Sequence, residues 1–248
     1  MPPTNDQLSD GDNAARQELR PYAGDVAPDL DPTYDPQEDP TVRTIGVMGA
    51  AGGYLDPEVR KRAHELGVAI ARAGCVLITG ACPGLPYDSA RGALAEGGLS
   101  VGISPALSRS EHVKRYDSPV DAYNVIIYAG SGLMGREVHN IHSSDIVIIA
   151  GGRSGTLGEF CIAFDEGKLI GVLKNSGGIA DDLPSILPKL TKETGAHLIY
   201  DADPHALVAR CVEFYRAGHF RRPSTFMAEK PAEDGEWPGS PSSAPRAS

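Results

Sequence analysis

The sequence predicts an α/β protein in which a doubly wound parallel sheet lies between two layers of helices. Short apolar runs alternate with amphipathic stretches through the middle of the chain, which is typical of strand–helix–strand units. The run at 145–150 is apolar after its first residue, as expected of a strand that is buried on both faces. Four of the predicted strands end in small glycine-bearing loops, and ligands of such sheets bind beyond the carboxyl ends of the strands.

Charge and proline content divide the 248-residue chain into three parts. Residues 1–40 hold ten acidic residues and two arginines, and 221–248 have no net charge, so the middle segment carries only −2 of the total net charge of −10. The two end segments also contain 12 of the 20 prolines. We expect a disordered acidic tail at 1–40, one α/β domain at 41–220 and a second disordered tail at 221–248.

Composition argues against several classes of protein. The net negative charge disfavours a general nucleic-acid binder. No apolar run approaches the roughly 18 residues of a membrane-spanning helix, and the N-terminus lacks the basic start and apolar core of a signal peptide. A zinc site and a secreted disulfide framework are both disfavoured because no CxxC pair occurs among Cys75, Cys82, Cys161 and Cys211. We therefore expect a cytoplasmic protein with no membrane partner.

The first half of the domain is expected to form three strands separated by two helices. Asp56 and Pro57 predict an N-cap followed by proline at the first helical position, and Gly74 closes that helix. Its apolar residues recur at helical spacing, at Val59, Ala63, Leu66 and Ile70. The second helix is expected over 88–96. The strands are expected at 44–48, 75–79 and 99–103.

The second half of the domain is expected to contain four strands and three helices. A polar segment at 104–121 precedes them and is expected to be a loop. The strands are expected at 123–128, 145–150, 169–173 and 197–200. Two apolar stripes predict the first two helices, one at Met134, Val138 and Ile141 and the other at Leu157, Phe160, Cys161 and Phe164. The last helix is expected over 204–216.

Glycine-bearing loops follow four strands, at 49–53, 80–84, 130–132 and 151–156. Glycine lets a backbone approach a ligand closely, and free N–H groups at a helix start favour an anion such as a phosphate. One such loop is weak evidence, but four at one sheet edge indicate a phosphate site. No loop matches GxxxxGK[ST], and none is a clean GxGxxG, so a P-loop site is disfavoured and a dinucleotide site only weakly supported. The candidate substrate and phosphate contacts are Gly49, Gly80, Gly84, Ser131, Gly152, Arg153, Ser154, Gly155 and Thr156.

Two charged residues lie beside these loops, off the apolar stripes of their helices. Glu159 follows Thr156 by three residues, and it is either a solvated residue at a helix start or a carboxylate that faces the ligand. Arg136 is either a surface residue or a contact to a phosphate or a leaving group, for which its fixed donor fork is suited. The sequence leaves both alternatives open.

Three histidines and a glutamate are weaker candidates. His139 and His142 follow Arg136 at helical spacing, and we expect them at the surface or in helix packing rather than as metal ligands. Glu111 and His112 lie in the polar loop and could form a lid or contact the substrate.

The segment Gly151-Gly-Arg-Ser-Gly-Thr-Leu-Gly-Glu159 resembles the PGGxGTxxE signature of the "lonely guy" (LOG) family. That family, once described as lysine decarboxylases, consists of Rossmann-like phosphoribohydrolases that are typically homodimers. They split a nucleoside 5′-monophosphate, notably a cytokinin riboside monophosphate, into free base and ribose 5-phosphate. The catalytic arginine of the family lies fifteen residues before the signature, at Arg136 here, and its aspartate matches Asp145. The resemblance extends over residues 43–217 and implies a Rossmann-like domain.

The chain departs from the family pattern at four places. The proline of the signature is Gly151, its second glycine is Arg153, and the lysine usual after the arginine is Glu137. The GGGxxGLMG loop of the family is present only as Gly80-Ala-Cys-Pro-Gly-Leu-Pro-Tyr87. The wider superfamily also contains molybdenum-cofactor carrier proteins and nucleotide-sensing domains, which bind a phosphorylated ligand with the same loops. The altered loop and Arg153 favour such a non-catalytic nucleotide or molybdenum-cofactor binding protein as the alternative to a hydrolase.

The resemblance to LOG enzymes implies a role for each candidate residue. Glu159 would stabilise the positive charge that builds on the ribose and orient water, and Arg136 would position the substrate or stabilise the departing base. The 5′-phosphate would be held by Gly152, Ser154, Gly155 and Thr156. This chemistry requires no metal and no other cofactor, and we expect a nucleotide-like small molecule and a second copy of the chain as partners, with no nucleic acid. Lysine decarboxylation is rejected because no lysine of the domain lies in a glycine-rich strand-end loop.

Overall fold

The structure, a computed structural model, describes residues 42–219. Within that range one sheet contains seven strands, all parallel, in the order β4-β3-β2-β1-β5-β6-β7. The strands are β1 Thr44–Gly49, β2 Val76–Thr79, β3 Ser100–Ser104, β4 Val125–Tyr128, β5 Ile146–Ala150, β6 Leu169–Leu173 and β7 His197–Asp201. The predicted parallel sheet is therefore confirmed, and the predicted tails at 1–40 and 221–248 lie outside the described residues.

Helices cover both faces of this sheet. The helices are α1 Pro57–Arg72, α2 Leu85–Ala95, α3 Arg109–Lys114, α4 Gly132–His142, α5 Ser154–Asp165, α6 Gly178–Ile186 and α7 Pro204–Arg216. One apolar core joins the sheet to α1, α2 and α7, and a second core joins the opposite face to α4, α5 and α6. This is the predicted three-layer, Rossmann-like arrangement, because a parallel sheet buries both faces under its crossover helices.

The chain changes direction at β1, and this change positions the site. From β1 the chain builds outward through β2, β3 and β4, and it then returns to pair β5 with the other side of β1. The loops that leave β1 and β5 therefore diverge to opposite faces, which opens a crevice beyond their carboxyl ends. At the amino ends of these strands, Asp145 accepts hydrogen bonds from the backbone N–H groups of Arg43 (2.8 Å) and Thr44 (3.0 Å). These bonds connect the starts of β1 and β5.

Local signals explain where several helices begin. The Asp56 carboxylate accepts a hydrogen bond from the N–H of Glu58 at 2.7 Å, and Pro57 follows it, as the sequence predicts. Asp203 caps α7 in the same way, with a 2.8 Å bond from Ala206. These capping residues satisfy N–H groups that would otherwise lack a partner at the helix start.

The structure corrects four predictions about helices. Helix α2 begins at Leu85, three residues before the predicted start, and the predicted loop at 104–121 contains α3. Helix α6 was not predicted. The predicted apolar stripe of α4 is wrong in part as a buried face, because Ile141 is buried but Met134 is 70% exposed and Val138 is 38% exposed. The buried face of this helix carries polar side chains beside Ile141, for a reason that the site explains.

In residues 42–219, no helix combines the length and the apolar character needed to cross a membrane. The cytoplasmic location stays a prediction.

Close contact between α1 and α2 gives a test of the fold. A methyl group at Gly67 of α1 would collide with the backbone oxygen of Ser89 in α2. We expect Gly67→Ala to lower the free energy of unfolding by about 1–3 kcal/mol, although alanine favours helix, because overpacking outweighs the propensity gain of about 1 kcal/mol. Urea unfolding measures the difference, and Lys61→Ala, on the exposed side of the same helix, is the control. Equal stability of the two variants would contradict the close packing.

Candidate functional site

A cavity of about 390 Å³ lies beyond the carboxyl ends of the central strands. Its walls come from the loops after β1, β2 and β5 and from the first turns of α4 and α5. This volume falls within the roughly 300–1,000 Å³ typical of small-molecule sites. Four charged side chains line the cavity, and they are Arg136, Glu137, Arg153 and Glu159. The lining therefore balances two cations against two carboxyl groups.

The loop after β5 presents the N-terminus of α5 to the cavity. Gly151 (φ 61°) and Gly152 (φ 101°) adopt backbone conformations that favour glycine. Their carbonyl oxygens accept hydrogen bonds from the first N–H groups of α6, at 3.1 Å from Ala180 and 3.0 Å from Ile179. No side chain of the described residues caps α5. The first-turn N–H groups of α5 are therefore left to bind an anion.

Arg136 is held against the loop that follows β2. It lies in α4, is 9% exposed, and donates a 2.5 Å hydrogen bond from Nη1 to the carbonyl oxygen of Gly80. A Cβ atom at Gly80 would lie 2.7 Å from the guanidinium carbon, so a glycine is needed for this contact. The Nε atom has no hydrogen-bond partner among the described residues. Of the two interpretations left open by the sequence, the surface one is therefore wrong for this arginine.

Glu159 is buried as well, with 6% of its surface exposed. Its Oε1 atom lies 3.5 Å from Nδ2 of Asn140, one helical turn after Arg136 in α4. Burial raises the pKa of this carboxyl group to about 7, although the nearby positive charge of Arg136 opposes the rise. Near neutral pH this group can both accept and donate a proton, which general acid–base chemistry requires. The solvated interpretation of Glu159 is wrong.

Glu137 was not singled out as a site residue from the sequence. It is 5% exposed, lines the cavity, and lies against α5 where Gly155 and Gly158 carry no side chains. Burial raises the pKa of its carboxyl group, and Arg136 again opposes the rise. The sequence signal that could have identified Glu137 is the spacing of Gly155 and Gly158, which leaves room on α5 for a side chain of a neighbouring helix.

Cys82 is a further lining residue that the sequence did not identify as part of the site. Burial raises the pKa of its thiol to about 11, while Arg136 lowers it and Glu159 raises it. These opposing effects place the thiol within the electrostatic range of both charged residues. A thiol with this pKa stays protonated at neutral pH and is a poor nucleophile.

The structure brings most of the predicted site residues together. Those that line the cavity are Arg136, Glu159, Gly49, Gly80, Arg153, Ser154, Gly155 and Thr156. Gly84, Ser131 and Gly152 do not line it. Gly84 (φ 80°) instead starts α2, whose first N–H, from Leu85, is used by the carbonyl of Ala50 at 2.9 Å. The first N–H group of α2 is thus used within the fold and is not available to a ligand.

The weaker candidates lie away from the cavity. His112 is fully buried, where Nδ1 lies 2.8 Å from Ser104 Oγ and Nε2 lies 3.0 Å from the carbonyl oxygen of Pro119. The Glu111 carboxylate accepts a hydrogen bond from the N–H group of Leu107 at 2.8 Å. These contacts fold the segment after β3 onto itself, and neither residue lines the cavity, so the suggested lid or substrate contact stays a prediction. His139 and His142 are exposed, as expected.

Comparison with known proteins agrees with this architecture. The model of the SLOG cluster4 family matches residues 42–208, which include all seven strands and the first turn of the last helix. The chain belongs to the SLOG cluster4 family. The resemblance to the LOG-like superfamily that the signature at 151–159 suggested is therefore confirmed.

Three individual proteins are similar to this SLOG protein. An uncharacterized protein of Archaeoglobus fulgidus is 39% identical over 130 residues, which are 52% of this chain and 79% of that protein. A molybdenum cofactor binding protein from Rippkaea orientalis is 29% identical, with a TM-score of 0.55, over 71% of this chain and 97% of that chain. The X-ray structure of a protein named TM1055 gives a TM-score of 0.61 at 22% identity, over 69% of this chain and 99% of that chain, and this likeness shows the fold alone.

The buried carboxyl group of Glu159 gives a pH-dependent test. Its folded-state pKa of about 7 lies above the value of roughly 4.3 for an unfolded chain, so the folded protein binds this proton more tightly. We expect the stabilisation from this proton to be present below about pH 4.3 and to be lost as the pH rises to about 7. Glu159→Gln removes the ionisation, so its stability relative to the unsubstituted chain should increase across this window and level off above it.

Urea unfolding of both proteins at several pH values measures this increase. The exposed Glu193→Gln is the control for the loss of one carboxyl group. A stability difference between Glu159→Gln and the unsubstituted chain that does not change with pH would show that Glu159 titrates in an ordinary environment.

Proposed function

We propose that this SLOG protein is a nucleoside 5′-monophosphate phosphoribohydrolase, which cleaves the N-glycosidic bond to release a free base and ribose 5-phosphate. The observation that carries the proposal is that Arg136 and Glu159 are both buried at one cavity beside the uncapped N-terminus of α5. A cation, a proton-accepting carboxylate and an anion site are the groups that this hydrolysis needs. The match to the LOG signature at 151–159 supports the same reaction.

The phosphate of the substrate would bind at the start of α5. The backbone N–H groups of Ser154, Gly155 and Thr156 lie at the positive end of the helix dipole. Arg153 is exposed at the cavity wall and can add a charge-assisted hydrogen bond. Gly152 contributes through its backbone conformation, which directs the loop toward the helix start. The two arginines and two glutamates of the lining offset each other in charge, which suits a ligand with a single phosphate group rather than several.

Glu159 would act on the sugar carbon that bears the base. As the bond from this carbon to the base nitrogen breaks, positive charge builds on the ribose, and an ionised carboxylate stabilises it. Glu159 also orients a water molecule and accepts its proton while the water oxygen bonds to the sugar carbon. The electron pair of the broken bond leaves with the base, whose nitrogen takes up one proton, so that the proton taken from water by Glu159 is balanced by the one gained by the base. Water and nucleotide are thus converted into base and ribose 5-phosphate.

Arg136 would stabilise the departing base or position the nucleotide. Its bond to the Gly80 carbonyl fixes the guanidinium at the cavity wall, and Asn140 holds Glu159 from the same helix. A fixed guanidinium stabilises developing negative charge without reorganisation during the reaction. Both reacting groups are therefore oriented by one helix, α4.

We also propose that the protein forms a homodimer through β4 and the outer side of α4. Strand β4 lies at the edge of the sheet, and its outward side chains Val125 and Ile127 are about half exposed. Helix α4 also exposes apolar side chains away from the cavity, with Met134 at 70% and Val138 at 38% exposure. An edge strand beside exposed apolar side chains favours association with a second copy.

A binding protein without turnover is the alternative. The specific observation in its favour is the likeness to the molybdenum cofactor binding protein of Rippkaea orientalis, at 29% identity over 71% of this chain. The same N-terminus of α5 would hold the phosphate of such a ligand, and Cys82 and Glu159, which both line the cavity, would face the remainder. Under this alternative, the ligand stays bound through purification and no nucleotide releases its base.

A panel of nucleoside monophosphates tests the hydrolase. We expect the purified chain to release ribose 5-phosphate from at least one of them, and Glu159→Gln to lower kcat by about 100-fold to 10,000-fold, the usual contribution of a general acid or base. Binding of ribose 5-phosphate to the variant should change by less than about 3-fold, because the phosphate site is intact. Glu193→Gln is the control. Undiminished kcat in Glu159→Gln would overturn the assigned role, and retained ligand without any base release would favour the alternative.

Light scattering after size exclusion tests the dimer. We expect the unsubstituted chain to have the mass of a dimer and Met134→Glu to shift it toward the monomer, because a charge would be buried in an apolar interface. Leu99→Glu, which changes an exposed apolar residue before β3, is the control and should remain dimeric. A monomeric unsubstituted chain would contradict the proposal.

A further inference from the structure

Glu137 is a buried carboxyl group that the proposed reaction does not use. It is 5% exposed and lines the cavity, yet it forms no hydrogen bond or ion pair with any residue between 42 and 219. Arg136 precedes it in the chain, but its Nη1 donates to the Gly80 carbonyl instead. The carboxyl oxygens of Glu137 reach the cavity, where they have acceptor positions that donors of a ligand can use.

The surroundings of Glu137 fix where such a ligand group would lie. A Cβ atom at Gly155 would be 3.4 Å from Oε1 of Glu137, and one at Gly158 would be 3.0 Å from Oε2. The carboxyl group therefore lies along the first two turns of α5, beside the N–H groups that face the cavity. If the phosphate of a ligand binds there, the ligand groups next to Glu137 are those a few bonds away from the phosphate.

The chemistry of the carboxyl group limits what these groups can be. A carboxylate accepts hydrogen bonds and repels a second anion, so it selects donors. In a sugar phosphate, the donors a few bonds from the phosphate are the ring hydroxyl groups, whereas the base lies on the far side of the ring. Two adjacent hydroxyls can each donate to one oxygen of a single carboxylate. The electrostatic coupling between Glu137 and Glu159 indicates that both face the same part of the cavity.

We propose that Glu137 binds the vicinal 2- and 3-hydroxyl groups of a ribosyl 5-phosphate and makes the site specific for ribose over 2-deoxyribose. This inference rests on the proposed function, because it assumes a phosphate at α5 and a sugar beside it. It adds the residue that would distinguish ribonucleotides from deoxyribonucleotides. The carboxylate also disfavours a ligand that carries a phosphate on its 2- or 3-hydroxyl group.

Calorimetric binding of three probes to the full chain tests this specificity. The probes are ribose 5-phosphate, 2-deoxyribose 5-phosphate and inorganic phosphate, none of which requires turnover or knowledge of the base. We expect ribose 5-phosphate to bind about 10-fold to 100-fold more tightly than its deoxy analogue, because the analogue leaves one carboxylate oxygen without its donor. Glu137→Met, which keeps the length of the side chain but removes both acceptors, should abolish this preference. Its binding of inorganic phosphate should be unchanged or tighter, because a negative charge is removed.

Two further variants keep the test decisive. Glu137→Gln retains one acceptor and should keep part of the preference, and it replaces the methionine variant if that one does not fold. Glu213→Met, on the exposed side of α7, is the control for substitution at a distant carboxylate. Equal affinity of the unsubstituted chain for the two sugar phosphates, or a preference that survives in Glu137→Met, would overturn the inference.

The outcomes separate this inference from the hydrolase. Release of ribose 5-phosphate from nucleotides, together with equal binding of the two sugar phosphates, would overturn the role of Glu137 alone. A ribose preference without any release of base would leave Glu137 as the sugar contact and overturn the hydrolase alone.

Discussion

Burial of three charged side chains between α4 and α5 is the constraint on which the site depends. Arg136, Glu137 and Glu159 are each less than a tenth exposed, and charges removed from water are costly unless their surroundings are arranged for them. The arrangement here consists of backbone without side chains. Gly80 lets the guanidinium lie on its carbonyl, and two glycines of α5 leave space for the carboxyl group of Glu137. The glycines of this protein therefore serve side-chain packing as much as loop conformation.

The helix starts around the crevice divide into two groups. The first N–H of α2 is used by the carbonyl of Ala50, and the first N–H groups of α6 are used by Gly151 and Gly152. Those bonds hold the loops after β1 and β5 in place. The start of α5 has no such partner among the described residues, and it is the helix start that faces the cavity with three of its residues. The starts of α2 and α6 thus hold the loops of the crevice in place, and the start of α5 is left to bind a ligand.

Helix α4 explains why the site and an interface would be coupled. Its inner side carries the polar residues that line the cavity, and its outer side exposes Met134 and Val138 beside two histidines. A helix with this distribution is poorly matched to water on its outer face, which is the physical reason to expect a second copy there. Association would then hold the helix that orients both Arg136 and Glu159, so that assembly and chemistry would depend on the same element.

The sequence by itself determined the parallel sheet, the position of each strand and the loop at 151–156, because hydrophobic period and glycine placement are local properties of the chain. It also predicted Arg136 and Glu159 as site residues, through their spacing in a signature along the chain. Only the tertiary structure decided that both are buried, that Gly84 serves the fold, and that Glu137 faces the cavity. Periodicity grouped Met134 and Val138 with the buried Ile141, because apolar spacing does not reveal what a helix packs against. That depends on the order of the strands, which brings α4 and α5 together over the crevice between β1 and β5.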